Sequence, residues 1–265
     1  MTVRRYDYDG RAFNAGVAAG RGGTSVILYV HGYNNTLQES VYRTAQIAHD
    51  SRAAEATVLF AWPSAGRAVG YVADRDAADF SRAALVRLMT DLAKNPRIGR
   101  IMVVGHSMGG RLTQEALMQL SLAGRRDVLN RLEVVLADPD IDVDLFLEQA
   151  RIVGPLTPPL MVMVATDDRA LRTSQVLAGG HNRVGRVDVH DPRVQQAARA
   201  LGVRIVDFTA IATDAMAHNR IVQVAALYSR LPASETRPSL RKAGAFVFGA
   251  VGAGIVQIGQ GISGE

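Results

Sequence analysis

A chain of 265 residues, 48% hydrophobic and 21% charged, has enough apolar material to bury a sizeable core within one large domain. It contains no cysteine, which excludes a disulfide framework and any thiolate metal site. The formal charge of +5 is spread over arginines interspersed with Asp and Glu, without a like-charged block, so it reads as a solvated surface and no nucleic-acid partner is expected.

In chain order, MTVRRYDYDGRAF lacks the apolar stretch and small-residue cleavage site of a secretory signal, so a cytoplasmic location is expected. Asp9-Gly10 suggests a hairpin turn between Arg5 to Tyr8 and Arg11 to Phe13. Val26 to Val30 is the first confident strand and runs into His31-Gly32-Tyr33-Asn34-Asn35. Thr36-Leu37-Gln38-Glu39 then has capping-box form, and Leu37, Val41, Ala45 and Ala48 recur on one helical face. A strand over Thr57 to Ala61 is followed by a stripe at Phe80, Ala84, Leu85, Leu88 and Leu92. Ile101 to Val104 is the next strand, with a helical stripe at Leu112, Ala116, Leu117 and Leu120 behind it. Strands at Glu133 to Ala137, Leu160 to Ala165 and Val203 to Phe208 alternate with helices over Asp142 to Arg151, Ala170 to Ala178 and Pro192 to Leu201. A final helix is expected over Asn219 to Leu231.

Apolar β-branched runs alternating with helices predict an α/β fold, a three-layer α/β/α sandwich on a mostly parallel sheet of about six strands. No linker divides residues 1–242, and no insertion is large enough for a cap domain. Residues 243–265 form a Gly-rich tail, uncharged as far as Gly264, following Arg237, Arg241 and Lys242. The stretch 243–264 is long enough for a membrane span, but its glycines, Gln257 and Gln260 make it a weak one. Packing on the domain or on a second copy, or membrane attachment, are the roles it suggests.

The chemistry concentrates at Gly105-His106-Ser107-Met108-Gly109. G-x-S-x-G arises by chance in roughly one chain in seven of this size, so its context carries the weight. It starts where an apolar strand ends and an amphipathic helix begins, the setting that exposes a nucleophilic serine on a sharp turn. The His31-Gly32 loop supplies a second signal, because acyl transfer needs backbone donors for an oxyanion; the amides of Tyr33 and Met108 are the candidates. His31 precedes the serine and is expected to shape the loop. A hydroxyl needs a base, and His218, shortly after the last strand, is the first candidate, with His190 and His181 as alternatives. The acid that orients the base is expected after Leu160 to Ala165, at Asp168, with Asp138 and Asp167 as alternatives. Capping accounts for Asp140 and Asp142. Asn34 and Trp62 are candidate substrate contacts. Pro63 to Asp79 and Ile141 to Pro159 are candidate pocket walls, shallow enough to favour short or medium acyl chains. No metal or organic cofactor is required.

The segments HGYNNTLQESVYRTAQIAHD, LFAWPSAGRAVGYVADRDAADFSR, VVGHSMGGRL, ADPDIDVDLF and DDRALRTS resemble the α/β-hydrolase superfamily. Within it the likeness is to bacterial esterase/lipase-like proteins of a domain-of-unknown-function family, over roughly Ser25 to Leu231. The resemblance implies an esterase-like fold and a Ser-His-Asp triad carried by Ser107, His218 and Asp168. Relatives of this type have more sheet before the His-Gly strand, so the N-terminal strands are expected to be trimmed here. The expected activity is cleavage of small-molecule carboxylic esters. Thioester, amide or peptide hydrolysis by the same groups is the alternative within enzymes, and a membrane-associated binding module with a vestigial triad is the alternative outside them.

Overall fold

The structure, a computed structural model, describes residues 10–19, 24–51, 54–209 and 255–257. Its centre is a parallel sheet of β1 (Thr24–Val30), β2 (Ala56–Phe60), β3 (Ile98–His106), β4 (Leu132–Ala137), β5 (Met161–Val164) and β6 (Arg204–Asp207). A short β7 (Ile255–Gln257) pairs in parallel with β6, giving the order β2-β1-β3-β4-β5-β6-β7. Parallel strands buried on both faces need apolar side chains at every position. On β1, Val26, Leu28 and Val30 join one core cluster, whereas Ile27 and Tyr29 join the other.

The larger cluster is covered by α3 (Tyr71–Lys94), α4 (Met108–Leu122) and α6 (Val143–Val153), with α8 (Pro192–Leu201) at its margin. On the other face α2 (Leu37–Ser51) contributes Ile47. The remaining helices are α1 (Gly10–Val17), the single turn α5 (Arg126–Leu129) and α7 (Arg169–Leu177). Helices on both faces of a parallel sheet make the expected three-layer α/β/α sandwich, and among the described residues no strand precedes β1 and no cap domain interrupts the layers.

Three local expectations need correction. Arg11 to Phe13 lie in α1, not in a hairpin arm; Phe13 and Val17, one helical turn apart, pack on the main core. Asn14 ties that helix to the end of α3, donating to the Asp91 carbonyl at 2.9 Å and accepting from Asn95 Nδ2. On α2 the buried residues are Ser40, Thr44, Ile47 and Ser51, and Leu37 is exposed. Along α3 the buried positions include Ala78, Ser81, Leu85, Met89 and Leu92, while Phe80 is 84% exposed.

Among the described residues no helix is long and apolar enough to cross a membrane. Asn219 to Leu231, and the tail apart from Ile255–Gln257, lie outside the described residues.

Candidate active site

Ser107 is the single residue between β3 and α4, with φ 54° and ψ −120°. A side-chain-bearing residue held at such a φ costs of order 1–3 kcal/mol and persists only where its surroundings enforce it. Here its amide donates to the Ala137 carbonyl at 2.9 Å, and its own carbonyl accepts from the amides of Gly110, Arg111 and Asp140 at 2.9, 3.2 and 3.1 Å. The glycines of the motif are dictated by contact. A Cβ on Gly109 would come within 2.3 Å of the Val30 and His31 carbonyl oxygens, and one on Gly105 within 2.6 Å of Thr113 Oγ1. The elbow is therefore wedged against the end of β1.

The loop after β1 lies beside the serine: a Cβ on Gly32 would stand 3.0 Å from Ser107 Cβ. His31 is buried and stacks on Trp62, with ring centroids 4.8 Å apart and planes 7° apart. Its Nδ1 lies 2.9 Å from the Gly32 carbonyl, and its Nε2 lies 3.2 Å from the Trp62 amide. A neutral imidazole protonated at Nδ1 donates to Gly32 and accepts from the Trp62 amide, whereas the Trp62 carbonyl, 3.1 Å from Nε2, is satisfied only by a ring protonated there. Burial supports the neutral form, since it lowers the imidazole pKa below its ordinary value against the opposing pull of the backbone bonds and Asp74.

Trp62 returns the contact by donating Nε1–H to the His31 carbonyl at 2.8 Å. At 3% exposure, the indole is committed to bracing this loop. Asn34 is exposed, adopts φ 55° and donates its amide to Asp74 Oδ2 at 3.3 Å. Asp74, buried on α3, also accepts from Ser64 Oγ and the Ala65 amide, both at 2.6 Å, so one carboxylate holds two loops. No motif marks it; it stands at an ordinary helix position.

Tyr33 packs edge-on against Tyr71 at 5.4 Å, and burial, then Asp74, raises the pKa of its phenol. The Tyr33 amide donates to no acceptor among the described residues, and Met108, first in α4, has no intrahelical acceptor. Two unspent amides beside the serine are what a developing oxyanion would require.

The acid candidates all follow strand ends near β3. Asp168 is fully buried and caps α7, Oδ1 accepting from the Leu171 amide at 2.9 Å. Asp138 is also fully buried, has φ 45° and faces Gly185, where a Cβ would lie 2.7 Å from its carbonyl carbon. Asp167 is exposed. Of the imidazoles, His190 is exposed beyond the 3-10 turn Val184–Arg186, and His181 is exposed with Nδ1 3.3 Å from Asp142 Oδ2. His218 lies outside the described residues.

A polar cavity of about 330 Å³ adjoins the elbow, lined by Tyr71, Arg75, Arg111, Asp140, Asp142, Leu145, Ala178, His181 and Arg183. Tyr71 and Arg75 in this lining belong to Pro63 to Asp79, and Asp142 and Leu145 to Ile141 to Pro159. Burial, reinforced by Asp140, raises the pKa of Tyr71, whose hydroxyl donates to Asp140 Oδ2 at 2.9 Å. Asp142 caps α6 by accepting from the Leu145 amide. Ser107 and the acid candidates line neither this cavity nor the larger groove of about 520 Å³ between α6 and α8, but Arg111 and Asp140 of the smaller cavity donate their amides to the Ser107 carbonyl. Among the described residues no group of three or more His, Asp or Glu side chains could hold a metal ion.

Among solved structures, the chain is similar to a lipase-esterase related protein from Clostridium acetobutylicum ATCC 824, at 12% identity and a TM-score of 0.29, over 75% of this chain and 80% of that one. No curated protein matches it. A family model described as alpha/beta hydrolase of unknown function (DUF900) matches residues 13–234, and with a parallel three-layer fold around the elbow the chain belongs to that family.

Proposed function

We propose that this α/β hydrolase cleaves carboxylic esters through an acyl-enzyme on Ser107. The observation that carries the reading is the serine itself, held at positive φ between strand and helix against the Gly32 loop. His218 takes the hydroxyl proton as Oγ attacks the ester carbonyl, and the amides of Tyr33 and Met108 receive the negative charge on the tetrahedral oxygen. Collapse of that intermediate expels the alcohol, protonated by His218. Water, deprotonated by the same imidazole, then releases the acid and restores Ser107. Asp168 orients His218; its capping bond to α7 supports this role by fixing one carboxylate oxygen. The small cavity lined by Tyr71 and Leu145 favours short to medium acyl groups.

Labelling with a fluorophosphonate probe tests the proposal. Ser107 is expected to carry the label, and Ser107→Ala to lose both label and at least about 10⁴-fold of the activity on a 4-nitrophenyl ester. Asp168→Asn should cost roughly 10³- to 10⁴-fold, well beyond the effect of Asp138→Asn. A folded protein whose Ser107 stays unlabelled overturns the mechanism.

A further inference from the structure

The cavity beside the elbow has a composition that neutral ester hydrolysis leaves unexplained. Three arginines, Arg75, Arg111 and Arg183, line it against two aspartates, Asp140 and Asp142. Asp140 is 2% exposed and already accepts from Ser174 Oγ and Tyr71, at 2.8 and 2.9 Å. Its charge is offset by the buried ion pair with Arg183.

Arg183 is buried, 7% exposed at the side chain, with Nε 3.2 Å from Asp140 Oδ1 but not aligned for a hydrogen bond. Among the described residues its side chain donates one hydrogen bond, a long one of 3.4 Å to the Ser174 carbonyl. A guanidinium carries five N–H donors, and leaving a buried one this unspent calls for an acceptor. The chain is arranged to hold it there: residues 182–185 run beside 139–143 through bonds from Val143 to Asn182, Val184 to Ile141 and Gly185 to Pro139. Arg75 is exposed at the rim and forms no ion pair among the described residues. Arg111, one helical turn beyond Ser107, is paired with Asp79.

We infer that this cavity receives an oxyanion group of the substrate, so that the enzyme acts on small esters whose acyl part ends in a carboxylate or similar anion. Arg183 supplies unspent donors in the buried wall, and Arg75, with no ion pair among the described residues, supplies a positive charge at the entrance across from the Asp142 carboxylate. The inference rests on the ester-hydrolase reading for its reaction, but the binding site can be tested apart from turnover.

Mono-4-nitrophenyl adipate and 4-nitrophenyl hexanoate have acyl chains of equal carbon number and differ in the terminal carboxylate. The wild-type enzyme should favour the adipate ester in kcat/KM by about tenfold or more, the scale of one charge-assisted contact. That ratio should fall towards one in Arg75→Gln, recover in Arg75→Lys and shrink with added salt. Calorimetric titration of Ser107→Ala protein with the adipate ester supplies a readout without turnover, and binding should weaken about tenfold when Arg75→Gln is added. If the hexanoate ester is cleaved as well as the adipate ester, the anion site is overturned and the hydrolase stands. If neither ester is cleaved yet the adipate ester binds in an Arg75-dependent way, the anion site stands and the ester reaction falls.

Discussion

His31 shows how a single side chain can look catalytic and act as a scaffold. Its two nitrogens are engaged by Gly32 and Trp62, and its ring is buried against the Trp62 indole, so it has nothing left to offer a substrate. Because burial depresses its pKa, the folded protein resists a proton that the unfolded chain accepts at the ordinary imidazole value of about 6.5. Stability from this group is complete above about pH 6.5, is lost as pH falls from there through the depressed folded value, and changes no further below it. Melting temperatures from pH 8 to 5 should therefore fall more steeply for the wild type than for His31→Gln. Parallel profiles would mean that His31 is protonated equally in both states. The structural role of this histidine was legible from its place ahead of the serine. Asp74 was not, because its partners at Asn34, Ser64 and Ala65 are joined to it only by the crossing of α3 past two loops.

At the level of elements, α2 was legible in its start and misleading in its faces. The Thr36/Glu39 capping box forms, with Glu39 Oε2 accepting from the Thr36 amide at 2.8 Å and Thr36 Oγ1 accepting from the Glu39 amide at 3.2 Å. The Thr36 amide, together with the Thr36 hydroxyl donating to the same Oε2 at 2.7 Å, also holds the Glu39 carboxyl below its usual pKa. Polarity alone puts Ser40 and Thr44 on the solvent side, yet both are buried. Their hydroxyls donate to carbonyls four residues back, Ser40 to Thr36 at 3.0 Å and Thr44 to Ser40 at 2.7 Å, so neither enters the interior unsatisfied. The same device buries Ser81 on α3 and Thr113 on α4. Thr36→Ala should thus cost about 1 kcal/mol in urea unfolding, whereas Leu37→Ser, at an exposed position, should stay within about 0.5 kcal/mol of the wild type. A larger loss at Leu37 than at Thr36 would restore the apolar face suggested by spacing.

For the whole molecule, the strands could be read because two-sided burial writes each one as an unbroken apolar run. The same burial hides which residues meet at the carboxyl edge, since loops carry no comparable period. The elbow joins the two scales: Gly109 is packed between the last carbonyls of β1 and the serine's turn, so sheet and site depend on one contact. Gly109→Ala places a methyl where two backbone oxygens stand at 2.3 Å, and neither can yield without shifting β1 against β3. Overpacking of this kind should cost about 3 kcal/mol or more, with fluorophosphonate labelling of Ser107 lost in the protein that still folds. Gly16→Ala, in α1 with nothing within 4 Å, is the matched comparison and should stabilise by up to about 1 kcal/mol. Equal unfolding midpoints for the two variants would show that the end of β1 is free to move. In that case the serine's geometry would have to be enforced by its own hydrogen bonds to Ala137, Gly110, Arg111 and Asp140 alone.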